Sequence, residues 1–422
     1  MMSALYNIFR DAAGVSTDSR TLQSGQLFFA LSGPNFNGNQ FAKQALNKGA
    51  IAVVVDEDVS ISDDRVIRVE NTLRSLQTLA TEHRNKLGTT IIALTGSNGK
   101  TTTKELIHSV LSTTYTTVAT QGNLNNHIGV PLTLLSLQKD TEIGVVEMGA
   151  NHLGEIAVLA NIAQPDFGLI TNFGKAHLEG FGSLEGVVKA KSELFDYLKT
   201  TNGLIFANAD DLKIMAQLKG QNPITYGTET TARVSATLLT ENDAIRIGVD
   251  QQEIQTQLSG AYNGYNALAA YAIGRHFGVS PQNAKRALES YIPDNNRSQL
   301  IRKKDLHITL DAYNANPTSM QAALASFSKK GGKKIAVLGQ MNELGKHTEI
   351  EHKRLVDWIK ASSIDDCYWV GSAFAPFISS DKYFSTVDEA IDYFSKTPLG
   401  QASILVKASR SFTLEKLVDV FH

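Results

Sequence analysis

The stretch at residues 89–105, TTIIALTGSNGKTTTKE, decides how the rest of the chain is read. Ile91, Ile92, Ala93 and Leu94 form an apolar run led by two β-branched residues, which predicts a buried strand. Gly96 and Gly99, with Ser97 and Asn98 between them, predict a tight turn at its end, and a helix is expected from Thr102 to about Leu111. Backbone N–H groups in such a turn face one anion, and the helix points the positive end of its dipole at the same place. Lys100 adds a point charge, and Thr101 puts a hydroxyl where a magnesium ion bridging the β- and γ-phosphates sits. The spacing departs from the common one, because Leu94 stands where the first of the two glycines is expected. An ordinary strand–turn–helix capped by glycine is the alternative. Gly99-Lys100-Thr101 directly after a buried strand favours phosphate binding, so the chain is expected to handle a nucleoside triphosphate.

Working outward, 422 residues exceed one ordinary core, and two or three domains are expected. The 40 basic residues nearly balance the 42 acidic ones, which leaves no electrostatic footprint for nucleic acid or an anionic membrane surface and points to small-molecule partners. The single cysteine, Cys367, lies beside Tyr368 and Trp369; it excludes an intrachain disulfide or thiolate cluster and fits a reducing cytoplasm. The amino terminus carries no basic leader before an apolar stretch, and no run approaches the ~20 apolar residues of a spanning helix, so a soluble cytoplasmic protein without membrane insertion is expected.

The expected fold class is α/β in three domains. Strands at 26–31 and 50–55 with a helix from Gln40 to Lys48 between them make a small N-terminal unit, 1–85. The charged segment Glu82–Gly88 marks a boundary near residue 86. Strands at Ile91–Thr95, Ile143–Glu147, Phe167–Thr171 and Leu204–Ala207 alternate with helical patterns such as Leu184–Leu198, which argues for a mostly parallel sheet in a central domain, 86–292. After the turn cluster that follows Tyr291, strands at His307–Leu310, Lys334–Leu338, Tyr368–Val370 and Ser403–Val406 make a third α/β domain, 293–422.

Several residues carry chemistry. Glu147 ends an apolar strand just before Gly149, a natural place for a magnesium ligand, although a solvated strand-end glutamate is the plain alternative. His177 lies in a loop after another such strand and gains meaning only from its neighbours. Lys189 and Lys191 follow in a helical stretch. An ammonium ~4 Å from a dication is repelled by about 8 kcal/mol at an effective dielectric of 20, so a lysine there must be kept away, deprotonated or converted to an anion. Two lysines on a helix surface are the alternative. Asn263 and Asn266, one helical turn apart, either read an adenine edge or, for Asn263, cap the helix.

Taken together these strings resemble the Mur ligase family over nearly the whole chain. The resemblance rests on TDSR at Thr17–Arg20 with LFFALSG after it, on TGSNGKTTTKE, on GNLNNHIGVPLT from Gly122, and on EMGANHLGEI from Glu147. It continues through TNFGKAHLEGFGSLEGVVKAKSEL, YNGYNALAA, DAYNANPTSM from Asp311 and LVKASRSFTLEKLV from Leu405. NLNN, EMGAN and YNANP point to the D-alanyl-D-alanine-adding branch.

The resemblance implies a UDP-binding N-terminal domain, a central P-loop ATPase and a Rossmann-like C-terminal domain that closes over both. It implies ATP-dependent, ADP-forming amide synthesis by a monomeric enzyme of peptidoglycan assembly, joining D-alanyl-D-alanine to UDP-N-acetylmuramoyl-tripeptide through an acyl phosphate. By the same resemblance Gly96, Ser97, Asn98, Gly99, Lys100, Thr101 and Thr102 hold the ATP phosphates. Thr101 and Glu147 bind a first Mg2+ and His177 a second. Lys191 is carbamylated and becomes a carboxylate-like ligand, with Lys189 the fallback if the helix register differs. Lys100, His177 and Lys191 are thus the implied catalytic set. Asn263 and Asn266 go to adenine; Arg297 and Asp311 reach the nucleotide from the C-terminal side, Asp311 on the ribose. Thr17, Asp18, Ser19, Arg20, Asn123, Asn125 and Asn126 look like UDP-sugar contacts, and Asn314, Asn316, Lys407, Ser409 and Arg410 fall at the domain junction near the acyl phosphate or the dipeptide.

The chain departs from the family pattern at Tyr262, where histidine is usual, at Asn37-Gly38-Asn39 in place of Asp-Gly-His, at Gln340 in place of aspartate, and at Ala408 in place of glycine. Competing readings are a sibling peptide ligase with another substrate, a nucleic-acid-dependent P-loop NTPase, and a UDP-sugar sensor without catalysis.

Overall fold

The computed structural model describes residues 2–241, 244–379 and 381–422. The loop stretch sits at the centre of a seven-stranded, all-parallel sheet. Its order is Val234–Ser235, Ile224–Gly227, Leu204–Asn208, Phe167–Ile170, Thr90–Thr95, Ile143–Glu147 and Thr117–Ala119. We label Thr90–Thr95 β1, Ile143–Glu147 β2 and Phe167–Ile170 β3. Side chains alternate across β1: Ile91 and Ala93 enter one buried core, Ile92 and Leu94 another on the opposite face. A strand buried on both faces is why its sequence is continuously apolar. β2 and β3 flank β1 on opposite sides, so the chain reverses its winding there, and a crevice opens at the carboxyl ends of the strands.

Helix α1 (Lys100–Leu111) leaves that crevice and packs against the alanine-rich helix α3 (Ala261–His276). Their approach is close: a Cβ on Gly274 would lie 2.3 Å from Val110. Helix α2 (Leu184–Thr201) covers the other face, beginning at Ser183, whose hydroxyl accepts from Gly186 N–H.

The N-terminal sheet is parallel, in the order Val15–Ser16, Leu27–Phe29, Ala52–Val55, Val66–Arg68. The charged segment at 82–88 is the last two turns and cap of a helix, Thr72–Leu87, capped by Asn71 at its start and by left-handed Gly88 at its end. Of its charges, Lys86 lies on the solvent side and pairs with Glu82, while Arg84 is largely buried against Asp166 and the Gln164 carbonyl. An antiparallel sheet of Thr237–Glu241, Ala244–Val249 and Gln252–Gln255 was not foreseen; its short strands lie among polar residues that dilute the period-two signal.

The C-terminal sheet runs Gln299–Lys303, Leu306–Asp311, Ala402–Lys407, Lys334–Gly339, Asp366–Val370, Tyr383–Phe384, parallel except for the first strand. We label Leu306–Asp311 β4, Lys334–Gly339 β5 and Ala402–Lys407 β6, and the helix Pro317–Phe327 α4. The expected α/β architecture with a mostly parallel central sheet is therefore found. Leu178, which opens the short helix Leu178–Phe181 that follows β3, is buried in the C-terminal core with Ala315, Met320, Met341 and Leu344. Burial of one such leucine contributes about 2 kcal/mol, so the two parts are docked by packing as well as by polar contacts. No described helix is long and apolar enough to cross a membrane.

Candidate active site

At the end of β1 the chain turns through Gly96 (φ +145°) and Gly99 (φ +79°), conformations that side chains disfavour. Space excludes a side chain too: a Cβ on Gly96 would lie 1.9 Å from Thr171 Oγ1, and one on Gly99 2.8 Å from Asn266 Oδ1. The turn is braced from the end of β3. Asn172 accepts from Asn98 N–H (3.1 Å) and its backbone carbonyl accepts from Ser97 N–H (3.0 Å), while Thr171 Oγ1 donates to the Asn98 carbonyl (2.6 Å). The N–H groups of Ser97 and Asn98 are thus used inside the protein, a correction to the expectation that the whole turn faces an anion. The first helical bond of α1 runs from Thr103 N–H to the Gly99 carbonyl, so the amides of Lys100, Thr101 and Thr102 lack helical acceptors and are the ones open to an anion. Lys100 Nζ donates to the Gly96 carbonyl (2.9 Å), and desolvation lowers its pKa against the opposing pull of Glu147.

Glu147, at the end of β2, is 1% exposed. Its Oε1 accepts from Asn125 Nδ2 (2.8 Å), and its Oε2 has no hydrogen-bond partner. A buried carboxylate oxygen without a donor is unfavourable unless a cation or water completes it, so the plain reading of a solvated strand end is excluded. Thr101 is 5% exposed and lines the same cavity. The donor set, a carboxylate and a hydroxyl, suits a hard divalent cation.

Helix α2 separates the two candidate lysines by register: Lys189 faces solvent and Lys191 faces inward at 1% exposure. Lys191 Nζ donates to the Ala150 carbonyl (3.1 Å) and stands 5.2 Å from the Phe181 ring centre. Burial, and then the Lys100 charge, push its pKa well below the ordinary lysine value, which favours the neutral amine. His177 has φ +50°, and its Nδ1 lies 2.7 Å from Glu343 Oε2. The contact is an ion-pair distance without hydrogen-bond geometry, and the nearby imidazole is the main reason the Glu343 carboxyl lies below its ordinary range.

One cavity of about 1060 Å³ collects Ser97–Thr102, Asn123, Asn125, Asn126, Glu147, His177, Asn263, Asn266, Arg297, Asp311, Asn314, Asn316 and Lys407. Asn263 is not the helix cap, which is Gly260; its Nδ2 donates to the Ser259 carbonyl, and Asn266 Nδ2 donates to Asn263 Oδ1 (2.8 Å). Arg297 stacks 3.6 Å from the Tyr313 ring centre. Asp311, ending β4, accepts from Lys407 Nζ of β6 at 2.6 Å and from Ser298 N–H at 3.3 Å. Asn316 caps α4 and its Nδ2 donates to Asn98 Oδ1 (2.7 Å), which ties the C-terminal part to the phosphate loop.

Some expected residues lie outside this cavity. Thr17, Asp18, Ser19 and Arg20 form a turn of their own, with Arg20 bound to Asp18 at 2.6–3.1 Å. Ser409 bonds within the C-terminal part, and Arg410 pairs with Glu415 at 2.6 Å. Residues that sequence reasoning missed include Asn172, Tyr313 and Glu343. Asn172 had a signal, a polar residue at the carboxyl end of a strand next to the loop strand; Glu343 had none.

The departures from the family pattern are accommodated. Tyr262 OH meets Ser298 Oγ at 2.9 Å. Asn39 is 3% exposed and joins Asp56 through both its amide and its carbonyl, at 2.8 and 3.1 Å. Gln340 Oε1 accepts from Ala373 N–H (3.0 Å), and Ala408 fills the space beside Gly339.

Three family domains match the chain: "Mur ligase family, catalytic domain" over residues 11–84, "Mur ligase middle domain" over 94–274, and "Mur ligase, glutamate ligase domain" over 296–410. The chain is 40% identical over 434 aligned positions to the UDP-N-acetylmuramoyl-tripeptide–D-alanyl-D-alanine ligase of Bacillus subtilis strain 168, covering 96% of this chain and 92% of the relative. The enzyme of the same name from Escherichia coli K12 is 35% identical, with the same shares covered. Among solved structures, a crystal structure of MurF from Acinetobacter baumannii superposes with a TM-score of 0.88 at 31% identity, over 99% of this chain and 98% of that one. MurF ligase from Thermotoga maritima, solved in complex with ADP, gives 0.85 at 28%, over 98% and 97%. The chain belongs to the Mur ligase family.

Proposed function

We propose that this chain joins D-alanyl-D-alanine to UDP-N-acetylmuramoyl-tripeptide at the expense of ATP, in the cytoplasm where that nucleotide is supplied. The observation that carries the reading is the convergence, in one cavity, of a phosphate loop, the half-satisfied buried carboxylate of Glu147 and His177, with the buried amine of Lys191 behind its wall. Full-length likeness to enzymes bearing that activity in their names supports it. Residues 1–85, 86–292 and 293–422 are its three working units in this reading.

In the first half-reaction an oxygen of the tripeptide's terminal carboxylate attacks the γ-phosphorus, the bond to the β-phosphate oxygen breaks, and ADP leaves. Two anions must meet, so the protein's task is charge neutralisation and alignment. The amides of Lys100, Thr101 and Thr102 and the Lys100 ammonium supply positive charge from the protein. Glu147 with Thr101 would hold one magnesium ion, and His177 with Lys191 a second. When bound, these ions screen the phosphate and carboxylate charges. Lys191 fits this role as a carbamate: its neutral amine adds to carbon dioxide, an N–C bond forms as one C–O π bond opens, one proton leaves, and an anion replaces the neutral amine. In the second half-reaction the dipeptide amine attacks the acyl carbon, phosphate leaves from the tetrahedral intermediate, and the nitrogen loses a proton.

Asn266 keeps its Oδ1 facing the loop for the adenine amino group, and Asp311 retains lone pairs for the ribose hydroxyls beside its bond from Lys407. The test is incubation with ATP, magnesium, UDP-N-acetylmuramoyl-tripeptide and D-alanyl-D-alanine, each organic substrate omitted in turn, with phosphate and product mass recorded. Phosphate and a pentapeptide product only in the complete mixture is the expected result; product with a single amino acid in place of the dipeptide would move the chain to a sibling activity.

A further inference from the structure

The turn that follows β2, residues 148–154, carries the carbonyl that meets Lys191. Gly149 N–H donates to the Asn125 carbonyl (2.7 Å) at its start, and the Asn125 side chain in turn donates to Glu147. Lys191 Nζ donates to the Ala150 carbonyl (3.1 Å). The N–H of that same peptide, on Asn151, donates to Glu155 Oε2 at 2.7 Å, and His152 N–H reaches the same oxygen at 3.3 Å. Carbonyl and N–H of one planar trans peptide point in opposite directions, so holding the N–H on Glu155 holds the carbonyl towards Lys191. Two further contacts fix the turn. Glu193, two residues after Lys191 on α2, accepts from the N–H groups of Gly154 (2.7 Å) and Ala157 (2.9 Å). The Asn151 carbonyl abuts Gly180, where a Cβ would lie 2.1 Å from its oxygen.

A carbamate keeps one N–H on its nitrogen and is planar as an amide is, so the direction of that N–H decides where its two oxygens lie. We propose that Glu155 is a positioning residue: through the Ala150–Asn151 peptide it holds the carbonyl that takes the remaining N–H of the Lys191 carbamate, and so turns the carbamate oxygens away from that carbonyl and towards the cavity. This rests on the carbamate reading of Lys191 under the proposed function. The Glu155 charge is felt at Lys191 and opposes an anion formed there, so Glu155 contributes by the reach of its carboxylate and not by its charge. Its own charge is favoured where it stands, in the first turn of the helix Glu155–Ala163.

The test uses the full chain with magnesium, a non-hydrolysable ATP analogue and 13C-bicarbonate. The carbamate carbon is assigned by NMR as the signal lost in Lys191→Ala and titrated against carbon dioxide, and the Asn151 amide is followed by hydrogen exchange. Glu155→Ala should raise the carbon dioxide needed for half-occupancy by about 10–100-fold, the range for removing a group that orients a metal ligand, and should unprotect the Asn151 amide. Glu155→Gln keeps an oxygen at the same reach and should behave as the wild type. Glu155→Asp keeps the charge, falls one methylene short, and should behave as the alanine variant; if the alanine variant does not fold, the glutamine and aspartate pair decides alone. Wild-type occupancy in Glu155→Asp overturns the proposal, and so does a glutamine variant as defective as the alanine one, because charge is then the cause. A raised KM for the UDP substrate with normal carbamate occupancy also overturns it, by making Glu155 a substrate contact. Absence of a Lys191-dependent carbamate signal from the wild type removes the carbamate reading itself and the proposal with it, and the two failures are distinguishable.

Discussion

Two basic side chains assigned to ligands from the same motif reading stand in opposite physical states. Lys191 is 1% exposed, with a single carbonyl as its hydrogen-bond partner. The Arg20 side chain is 86% exposed and makes a two-pronged bond to Asp18, which also accepts the Arg20 backbone N–H. The first holds an environment that disfavours its own charge and is relieved by chemistry or by a ligand. The second is already satisfied, and a substrate must compete with a carboxylate two residues away to recruit it. A motif match therefore does not weigh its residues equally; unsatisfied buried polar groups mark where the protein is built around something else.

The sharpest way to break this contrast is at its buried end. Lys191→Ala should lower ligation by roughly 10²–10³-fold or more, the range for loss of one preorganised charge-stabilising group, while nucleotide binding persists. Short carboxylates such as formate or acetate should restore part of the rate by occupying the vacated position. Near wild-type turnover without them would sink the carbamate role and return Lys191 to the class of buried, inert lysines. Lys189→Ala, on the solvent side of the same helix, is the matched control and should leave turnover unchanged.

Gly99→Ala comes next. The new Cβ would lie 2.8 Å from the Asn266 amide at φ +79°, a left-handed conformation that costs a non-glycine residue roughly 1–2 kcal/mol. The KM for ATP should rise about tenfold, as about 1.4 kcal/mol of lost binding implies, with a smaller effect on the KM of the UDP substrate. Equal effects on both substrates would mean that the loop supports the whole fold, not the nucleotide alone.

How much of this was legible without coordinates follows from where each signal resides. β1 and its glycines were readable because strand, turn and helix start are contiguous, and local chemistry dictates them. The inward face of Lys191 was not, because helix register depends on which side of α2 meets the sheet, and both lysines sit among apolar neighbours in sequence. The bracing of Asn98 by Asn172 and the ion-pair contact of His177 with Glu343 join residues 74 and 166 positions apart, and no local pattern carries such a pairing. Asn263 shows the same limit. As a cap or as an amide one turn inside the helix it has identical spacing, and only the position of Gly260 decides.

Asn316→Ala tests the seam between the two parts. It removes one neutral hydrogen bond to Asn98 and the cap of α4, each worth about 1 kcal/mol. The docked state should become several-fold less populated, read as faster proteolysis or a larger radius of gyration with nucleotide bound. Asn316→Asp keeps the cap but not the donor, and separates the two contributions. An unchanged docking equilibrium in both variants would leave Leu178 burial as the main adhesive.

The smallest effect belongs to the exposed end. Hydrogen bonds from Arg20 hold the Asp18 carboxyl at about 2, so its contribution to stability is present above the ordinary carboxylate value of about 3.9 and is lost as pH falls through about 2. Arg20→Ala should return the Asp18 titration, followed by NMR, towards that ordinary value, and leave the neutral-pH melting temperature unchanged, because water screens so exposed a pair. If Arg20 remains with Asp18 during turnover, the variant should also change the KM for the UDP substrate by less than about fivefold. A larger rise would mean that the guanidinium leaves Asp18 for the substrate. Asp18 titration with and without the UDP compound would then show the exchange directly, since a carboxylate that loses its partner must titrate higher in the complex than in the free protein.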